Sequence, residues 1–205
     1  MKLIDIETWN RREHFKVYQG RDFPYINIGA ELDITQLLAF SRHHGLSSYI
    51  SMVHVAHMTA LSIENFLYRI QGDAPVKLET MLATFTHLPS EDALFINVTP
   101  PFSEDPIEFN RLAKDQIQRQ GTAPCFGTRL DNIVYSTIPW IQYTHFVRTV
   151  ARAGVDSNPK ISWGKYFKRD GRTLTPFSVQ VHHGLMDGQH VGRYFEQLQA
   201  RIHRL

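Results

Sequence analysis

Hydrophobic residues recur every three or four positions in four stretches of the chain, a spacing typical of amphipathic helices. These stretches are residues 32–45 (LDITQLLAFSRHHG), 47–66, 105–121 and about 188–202. Asp33 or Thr35 is placed to cap the first helix, and Gly45 is placed to end it. Apolar residues fill most of the second stretch, which predicts a largely buried helix.

Six other stretches are rich in β-branched and aromatic residues, and several of them alternate apolar with polar positions. This composition predicts β-strands. The stretches are residues 24–32, 77–87, 92–99, 132–140, 160–168 and 174–183. Between the last two, Asp170 and Gly171 form a pair typical of a tight hairpin turn.

Strands and helices are mixed along the chain without the strict alternation of a parallel βαβ sheet. The order therefore predicts an α+β fold, an α/β two-layer sandwich in which helices pack on a large mixed sheet. No internal repeat and no long Pro/Gly/Ser linker interrupts the 205 residues. We therefore expect residues 1–205 to form one domain, a length that can bury a sizeable core.

The composition argues against several classes of function. Charged residues make up 20% of the chain and the net charge is only +2, so no nucleic-acid partner is expected. No run approaches the ~18 apolar residues of a membrane-spanning helix, and Asp5 and Glu7 interrupt the start of any signal peptide. Cys125 is the only cysteine, which excludes a disulfide within the chain. We therefore expect a cytoplasmic protein with no membrane partner.

Two adjacent histidines lie near the C-terminal end, in the heptapeptide HHGLMDG at residues 182–188. Three interpretations are open: a zinc site, a general base held by its neighbours, or a hydrogen-bonded strand end. Successive strand residues face opposite sides of a sheet, so His182 and His183 would chelate one metal poorly, and no metal is expected. His54 and His57 lie three apart on a predicted helix without a nearby Cys, Asp or Glu, which favours packing in the core or at an interface.

The same heptapeptide resembles the HHxxxDG signature of the chloramphenicol acetyltransferase family. Other segments resemble that family in the expected order: WNRREHF at residues 9–15, LDIT at 32–35, STIPW at 136–140 and GKYF at 164–167. The similarity covers nearly the whole chain and is weakest between about residues 70 and 130. It implies the fold of that family and the activity of an acetyl-CoA-dependent O-acetyltransferase.

The resemblance also implies a role for each matching residue. His183 would be the general base that deprotonates the acceptor hydroxyl, and Ser136 would stabilise the oxyanion that forms at the acetyl thioester. Asp187 would form a structural ion pair with Arg11. No covalent acyl-enzyme is implied, so Cys125 is not required as a nucleophile.

Acetyl-CoA would serve as a co-substrate, and no permanently bound cofactor is implied. The family is homotrimeric, with each active site lying between two subunits. The resemblance assigns the CoA channel to Lys165, Tyr166 and Tyr49. It assigns the acceptor pocket to Tyr18, Ile26, Phe146, Arg148 and Ser162.

The acceptor pocket departs from the family pattern at several positions. Pro24 and Ile26 lie where the family tends to have a cysteine and a phenylalanine, and Arg148 lies where a leucine is usual. An arginine there changes both volume and charge, and would favour an acceptor with an anionic group.

Chloramphenicol is the first candidate acceptor, because the resemblance spans the chain. The first alternative keeps the chemistry and changes the acceptor to another alcohol or amine. The second is a trimeric binding protein without catalysis, which the retention of the catalytic histidine and serine disfavours. A lipoyl-dependent E2 core is also disfavoured, since no lipoyl segment is visible in the sequence.

Overall fold

The computed structural model describes residues 1–127, 129–151 and 156–205. Its helices are α1 (Arg12–Gln19), α2 (Thr35–His43), α3 (Ser48–Leu61), α4 (Pro106–Gln120) and α5 (Gly188–Ile202), with a 3₁₀ turn at Glu64–Leu67. The four predicted helices are confirmed, although the second ends at Leu61 and not near residue 66. Helix α1 was not predicted, because it has eight residues and buries only Phe15, too little for a periodic pattern.

Strands of the main sheet lie in the order β2-β10-β8-β7-β5-β6, and β9 pairs with β10. The pairs β5–β7 and β7–β8 are parallel and the others antiparallel. The strands are β2 (Tyr25–Asp33), β5 (Leu82–His87), β6 (Ile96–Val98), β7 (Asn132–Ile138), β8 (Lys160–Gly164), β9 (Phe167–Arg169) and β10 (Arg172–His182). A mixed sheet with helices packed on it confirms the predicted fold class.

A second, small sheet was not predicted. It has the order β1-β4-β3, formed by β1 (Lys2–Leu3), β4 (Ala74–Lys77) and β3 (Tyr68–Gln71). These strands have two to four residues each, shorter than the runs from which alternation can be recognised.

Three predicted strands are shorter or divided in the structure. The run 77–87 belongs to two sheets, since Lys77 ends β4 and β5 begins only at Leu82. The run 92–99 forms a strand only at Ile96–Val98, and the run 160–168 is split into β8 and β9. In each case the run of residues that favour a strand is longer than the strand itself, because a strand ends where its neighbour no longer offers backbone hydrogen bonds.

The predicted hairpin turn between the last two strands is confirmed. Asp170 and Gly171 have φ angles of 50° and 73°, and Arg172 pairs with Arg169 directly across the turn. Two successive residues at positive φ match the right-handed twist of the flanking strands. Beyond the turn, β10 continues between β2 and β8 in the main sheet.

The two faces of β10 have different environments, because side chains alternate along a strand. On one face, Phe177 packs against Tyr194 of α5 at 6.4 Å between ring centroids, and α2, α4 and α5 all pack on α3 over this side. On the other face, Ser178 Oγ lies 3.1 Å from the hydroxyl of Tyr143, which belongs to the irregular segment between β7 and β8. Gln180 donates a hydrogen bond to the Arg148 carbonyl of the same segment. The face opposite the helices is therefore polar, and Ser136 and Ser162 lie on it in the same row as Ser178.

Candidate active site

His183 follows β10 directly, and the backbone holds it on two sides. Its N–H donates to the Pro24 carbonyl at 2.7 Å, and its ring Nδ1 lies 3.0 Å from the Met186 carbonyl oxygen. A carbonyl oxygen can only accept, so Nδ1 carries the proton and the Nε2 lone pair is left to act as a base. The ring of Tyr18 lies 4.1 Å away between centroids and fixes the plane of the imidazole.

Arg11 is buried beneath this loop, with 7% of its surface exposed. Its Nη1 lies 2.8 Å from Asp187 Oδ2, so the ion pair implied by the resemblance is present. Nη2 also donates to the His183 carbonyl at 3.2 Å, and Nε to the Gly184 carbonyl at 3.4 Å. One guanidinium thus ties the start of α5 to the backbone that carries the histidine.

Asp187 also caps helix α5. Its Oδ1 accepts the backbone N–H groups of Gln189 at 3.1 Å and His190 at 3.4 Å, and the His190 ring Nδ1 lies 2.7 Å from the same oxygen. Partial burial raises the pKa of Asp187, but the hydrogen bond from Arg11 and the interactions with His190 outweigh it and bring the pKa to about 2. A carboxylate that stays ionised at neutral pH suits a structural role.

Ser136 lies on β7 and lines a cavity of about 600 Å³. Its Oγ is 3.0 Å from Thr86 Oγ1, and the Tyr49 hydroxyl donates to the Thr86 carbonyl at 2.7 Å. Burial raises the pKa of Tyr49, which therefore stays protonated as a donor. Phe146 and Arg148 line the same cavity. The structure thus brings together Ser136 and two residues assigned to the acceptor pocket.

Ser162 does not line that cavity. It is buried, and its Oγ has no hydrogen-bond partner within the described ranges. In the sheet it pairs with Ser136 on one side and Ser178 on the other, so the three hydroxyl-bearing residues form one row across the polar face. A buried hydroxyl without a partner is uncommon, and such an atom is a candidate to bind a water or a substrate group.

A second cavity, of about 340 Å³, opens at the ends of β7 and β8. It is lined by Tyr49, Thr137, Pro139, Trp163, Gly164, Lys165 and Tyr166, so it contains all three residues assigned to the CoA channel. Tyr49 borders both cavities. Lys165 is exposed, whereas burial raises the pKa of Tyr166.

One chain does not bring His183 and Ser136 together. Ser136 pairs with Ser162, which pairs with Ser178, and His183 lies five residues beyond Ser178. At the usual spacings this is about 16 Å along the strand and about 10 Å across it. Tyr18 stacks on His183, just beyond the C-terminal end of β10 and away from the Ser136 cavity. The assigned residues therefore form two separate groups in the monomer.

Ile26 belongs with the histidine group. It lies on β2 opposite Val181 of β10, one step before the pair formed by Tyr25 and His182. The ring of Tyr25 contacts that of His182 at 5.5 Å between centroids, so His182 faces β2 while its neighbour in sequence turns into the loop. The two adjacent histidines have different surroundings, as strand geometry predicts.

His54 and His57 are core residues, as predicted. The His57 ring accepts a hydrogen bond from the Tyr135 hydroxyl at 3.0 Å, and its other nitrogen lies 3.0 Å from the Met81 carbonyl. Burial lowers the pKa of His57 to about 4, so it is neutral at physiological pH. Within the described part of the chain, no three His, Cys, Asp or Glu side chains are grouped so that they could hold a metal ion.

Sequence reasoning missed the residues that hold the irregular segment over the polar face. Gln180 of β10 accepts from the Arg148 N–H at 2.8 Å and donates to its carbonyl at 3.1 Å. Asn27 of β2 donates to the Phe146 carbonyl at 2.9 Å. The available signal was a pair of amide side chains, Asn27 and Gln180, that alternate with apolar residues in two predicted strands.

Comparisons with known proteins identify the family of this chain. A sequence model of the family described as chloramphenicol acetyltransferase matches residues 1–199. This match defines an acyltransferase, and the chain belongs to the chloramphenicol acetyltransferase family. None of the helices in the described ranges is both long and apolar enough to cross a bilayer.

Individual relatives match over most of their length. Chloramphenicol acetyltransferase from Clostridium perfringens is 28% identical over 204 residues, covering 96% of this chain and 92% of that protein. Chloramphenicol acetyltransferase 3 from Escherichia coli is 28% identical over 200 residues, with coverages of 96% and 94%. A solved chloramphenicol acetyltransferase superposes with a TM-score of 0.88 at 23% identity, covering 98% of this chain and 100% of that one. The dihydrolipoamide acetyltransferase of Azotobacter vinelandii shares the fold, with a TM-score of 0.69 at 15% identity and coverages of 98% and 89%.

Proposed function

We propose that this protein is an acetyl-CoA-dependent O-acetyltransferase that uses His183 as its general base. The observation that carries the proposal is the contact between His183 Nδ1 and the Met186 carbonyl, because it selects the tautomer whose Nε2 is a free base. The Arg11–Asp187 pair supports the proposal, since it holds the loop in which that contact forms.

Each group has one role in the proposed transfer. The acceptor hydroxyl gives its proton to His183 Nε2 as its oxygen attacks the thioester carbonyl carbon. Negative charge then develops on the carbonyl oxygen, and the Ser136 hydroxyl donates a hydrogen bond to it, with Thr86 as the partner that orients Ser136. When the C–S bond breaks, CoA leaves as a thiolate and accepts the proton from the imidazolium of His183, which regenerates the neutral histidine. Both substrates are bound at once, and no acyl group is attached to the protein.

We infer that the site is completed by a second copy of the chain in a homotrimer. The separation of His183 from Ser136 within one chain supports this, because neither group can serve the other across about 16 Å of strand. Large apolar side chains around the mouth of the Ser136 cavity are exposed: 88% of the surface of Leu94, 69% of Trp140 and 53% of Phe95. An exposed apolar patch of this kind favours burial against another subunit.

The substrates follow from the two cavities and from the names of the relatives. We assign acetyl-CoA to the cavity lined by Tyr49, Lys165 and Tyr166. We assign the acceptor to the Ser136 cavity with Phe146 and Arg148, faced by His183, Tyr18 and Ile26 of the neighbouring copy, with Ser162 behind it. Chloramphenicol is the first acceptor to test, since the relatives are named for it, and a cytoplasmic location accords with both substrates.

An assay of thiol release tests the proposal. Purified protein is supplied with acetyl-CoA and, in turn, chloramphenicol and a panel of other alcohols and amines. We expect release with at least one acceptor and a loss of about 10²- to 10⁴-fold in His183→Ala, the usual contribution of a general base. His43→Ala, an exposed histidine at the end of α2, is the matched control and should keep wild-type activity.

Two results would contradict the proposal. If His183→Ala keeps more than about a tenth of the activity, another group is the base. If no acceptor releases thiol from acetyl-CoA while the protein is folded, the result favours a binding protein without catalysis. Calorimetric titration with acetyl-CoA then shows whether the co-substrate binds at all.

A further inference from the structure

The charge inside the Ser136 cavity is unusual for a site that would take a neutral acceptor. Among the described residues that line it, Arg148 is the one permanent cation, and none is a carboxylate. His87 also lines the cavity, but burial lowers its pKa, so it is neutral at physiological pH. The remaining lining side chains are apolar or carry only hydroxyl groups. The cavity therefore has a net positive charge.

The arginine is held rigidly. Its backbone N–H and carbonyl are both bonded by the Gln180 amide at 2.8 and 3.1 Å, and the Phe146 carbonyl two residues earlier is held by Asn27. Its guanidinium Nη1 donates to the Val134 carbonyl at 3.0 Å. An arginine whose fork is fixed before a ligand arrives loses little side-chain entropy on binding it.

No carboxylate within the described ranges forms an ion pair with this guanidinium. Asp156 contributes to its electrostatic environment, but that carboxylate lies 2.7 Å from the Lys160 ammonium and accepts from the Ala151 N–H. Burial lowers the pKa of Arg148, because removal from water disfavours its charge. A partly buried cation without a counter-ion is stabilised most by an anion that enters the cavity.

We propose that the preferred acceptor is an alcohol that carries a carboxylate, and that Arg148 binds that carboxylate. This inference rests on the proposed function. A planar carboxylate matches the arginine fork in two parallel hydrogen bonds. Ser136 lies two residues beyond Val134 on the same face of β7, which places the oxyanion donor about 7 Å from the carbonyl that Arg148 contacts. We therefore expect the hydroxyl and the carboxylate of the acceptor to be separated by a similar distance.

A matched pair of acceptors tests this proposal. 4-(Hydroxymethyl)benzoate and 4-(hydroxymethyl)benzamide have the same size and the same hydroxyl, and differ in the charge at the opposite end of the ring. We expect the wild type to have a kcat/KM about 10- to 100-fold higher for the benzoate, the range of a charge-assisted pair. In Arg148→Leu that preference should fall to within about 3-fold, whereas Arg119→Leu, an exposed arginine on α4, should keep it.

Calorimetric binding of the same two compounds gives a readout that does not depend on turnover. We expect the wild type to bind the benzoate more tightly than the benzamide, and Arg148→Leu to lose the difference. Thermal unfolding of Arg148→Leu shows whether that variant is folded, and Arg148→Lys provides a second one that keeps the charge and loses the fork.

Each failure has a distinct signature. If Arg148→Leu lowers kcat/KM and the binding affinity equally for both acceptors, the arginine has a structural role and the proposal is wrong. If it raises only the KM for acetyl-CoA, the arginine serves CoA and the proposal is also wrong. Acetylation of chloramphenicol without any preference for the benzoate overturns the acceptor inference alone. Absence of acetyl transfer to every acceptor, together with equal binding of the pair, overturns both this inference and the proposed function.

Discussion

Two histidines of this chain show how the surroundings of one residue decide what it can do. His57 lies in the core with both ring nitrogens bonded, one by the Tyr135 hydroxyl and the other by the Met81 carbonyl. His183 has one nitrogen bonded by a carbonyl and lies partly exposed in a loop. The first has no free atom for chemistry and stabilises the core while neutral. The second keeps one nitrogen available, and this difference supports the choice of His183 as the base.

The buried His57 predicts a pH dependence of stability. Its pKa in the fold is about 4, below its ordinary 6.5, so the unfolded chain binds the proton more readily. The stabilisation is complete above pH 6.5 and is lost as the pH falls toward 4. We expect about 2 kcal/mol of the free energy of unfolding to be lost from this residue between pH 7 and pH 5.

Urea unfolding of His57→Gln at the two pH values measures this effect. The variant cannot titrate in this range, so its loss of stability between pH 7 and pH 5 should be smaller than that of the wild type. His43→Gln, at an exposed position, should behave as the wild type does. An identical loss in wild type and His57→Gln would show that another group is responsible.

At the scale of elements, the loop between β10 and α5 positions the proposed base, His183. Asp187 ends the loop, caps the helix and pairs with Arg11, so one carboxylate connects the sheet, the helix and α1. The local pattern Asp-Gly before a helix predicts the cap. The ion pair spans most of the chain, and no local pattern could predict it apart from the resemblance.

Asp187→Ala should therefore affect both folding and activity. Removal of the carboxylate leaves the buried Arg11 charge without its partner and also removes a helix cap. We expect a loss of about 3 kcal/mol in the free energy of unfolding, measured by urea denaturation, together with reduced turnover. Because its pKa is about 2, below the usual 3.8, the contribution of Asp187 is present above pH 3.8 and is lost as the pH falls toward 2.

Asp105→Ala is the matched control for that variant. Asp105 caps α4 through the backbone N–H groups of Ile107 and Glu108, but it has no buried arginine as a partner. Asp105→Ala should lower the free energy of unfolding by about 1 kcal/mol and leave turnover unchanged. If Asp187→Ala and Asp105→Ala lower the free energy of unfolding by the same amount, the Arg11–Asp187 ion pair contributes little to stability.

At the scale of the whole molecule, the sheet places the proposed base and the proposed oxyanion donor in different parts of one chain. The row through Ser136, Ser162 and Ser178 lies about 16 Å from His183 along the strand. The proposed site therefore needs two copies of the chain, and the exposed apolar side chains of Leu94 and Trp140 offer a surface for their contact.

Mixed oligomers test this arrangement directly. His183→Ala and Ser136→Ala are each nearly inactive by the proposed mechanism. Co-refolded in equal amounts, they should recover about a quarter of wild-type activity, because about one interface in four then joins an intact histidine to an intact serine. Analytical ultracentrifugation of the wild type should give the mass of a trimer. No recovery in an assembled mixture would show that both residues act within one chain.

The sequence by itself determined the parts of this protein that depend on local rules. Hydrophobic spacing predicted four helices, alternation predicted most strands of the main sheet, and the pair Asp170–Gly171 predicted a turn. These features need only neighbouring residues, and backbone geometry fixes their meaning. The resemblance of HHGLMDG then indicated the family.

Tertiary structure alone decided the relations between distant residues. The contact that leaves Nε2 of His183 free, the distance of Ser136 from His183, and the hydrogen bonds of Gln180 to Arg148 all depend on register and chain path. A shift of one residue in a strand pairing would turn each of these side chains to the opposite face. Such relations are set by packing over the whole sheet, and no short stretch of sequence encodes them.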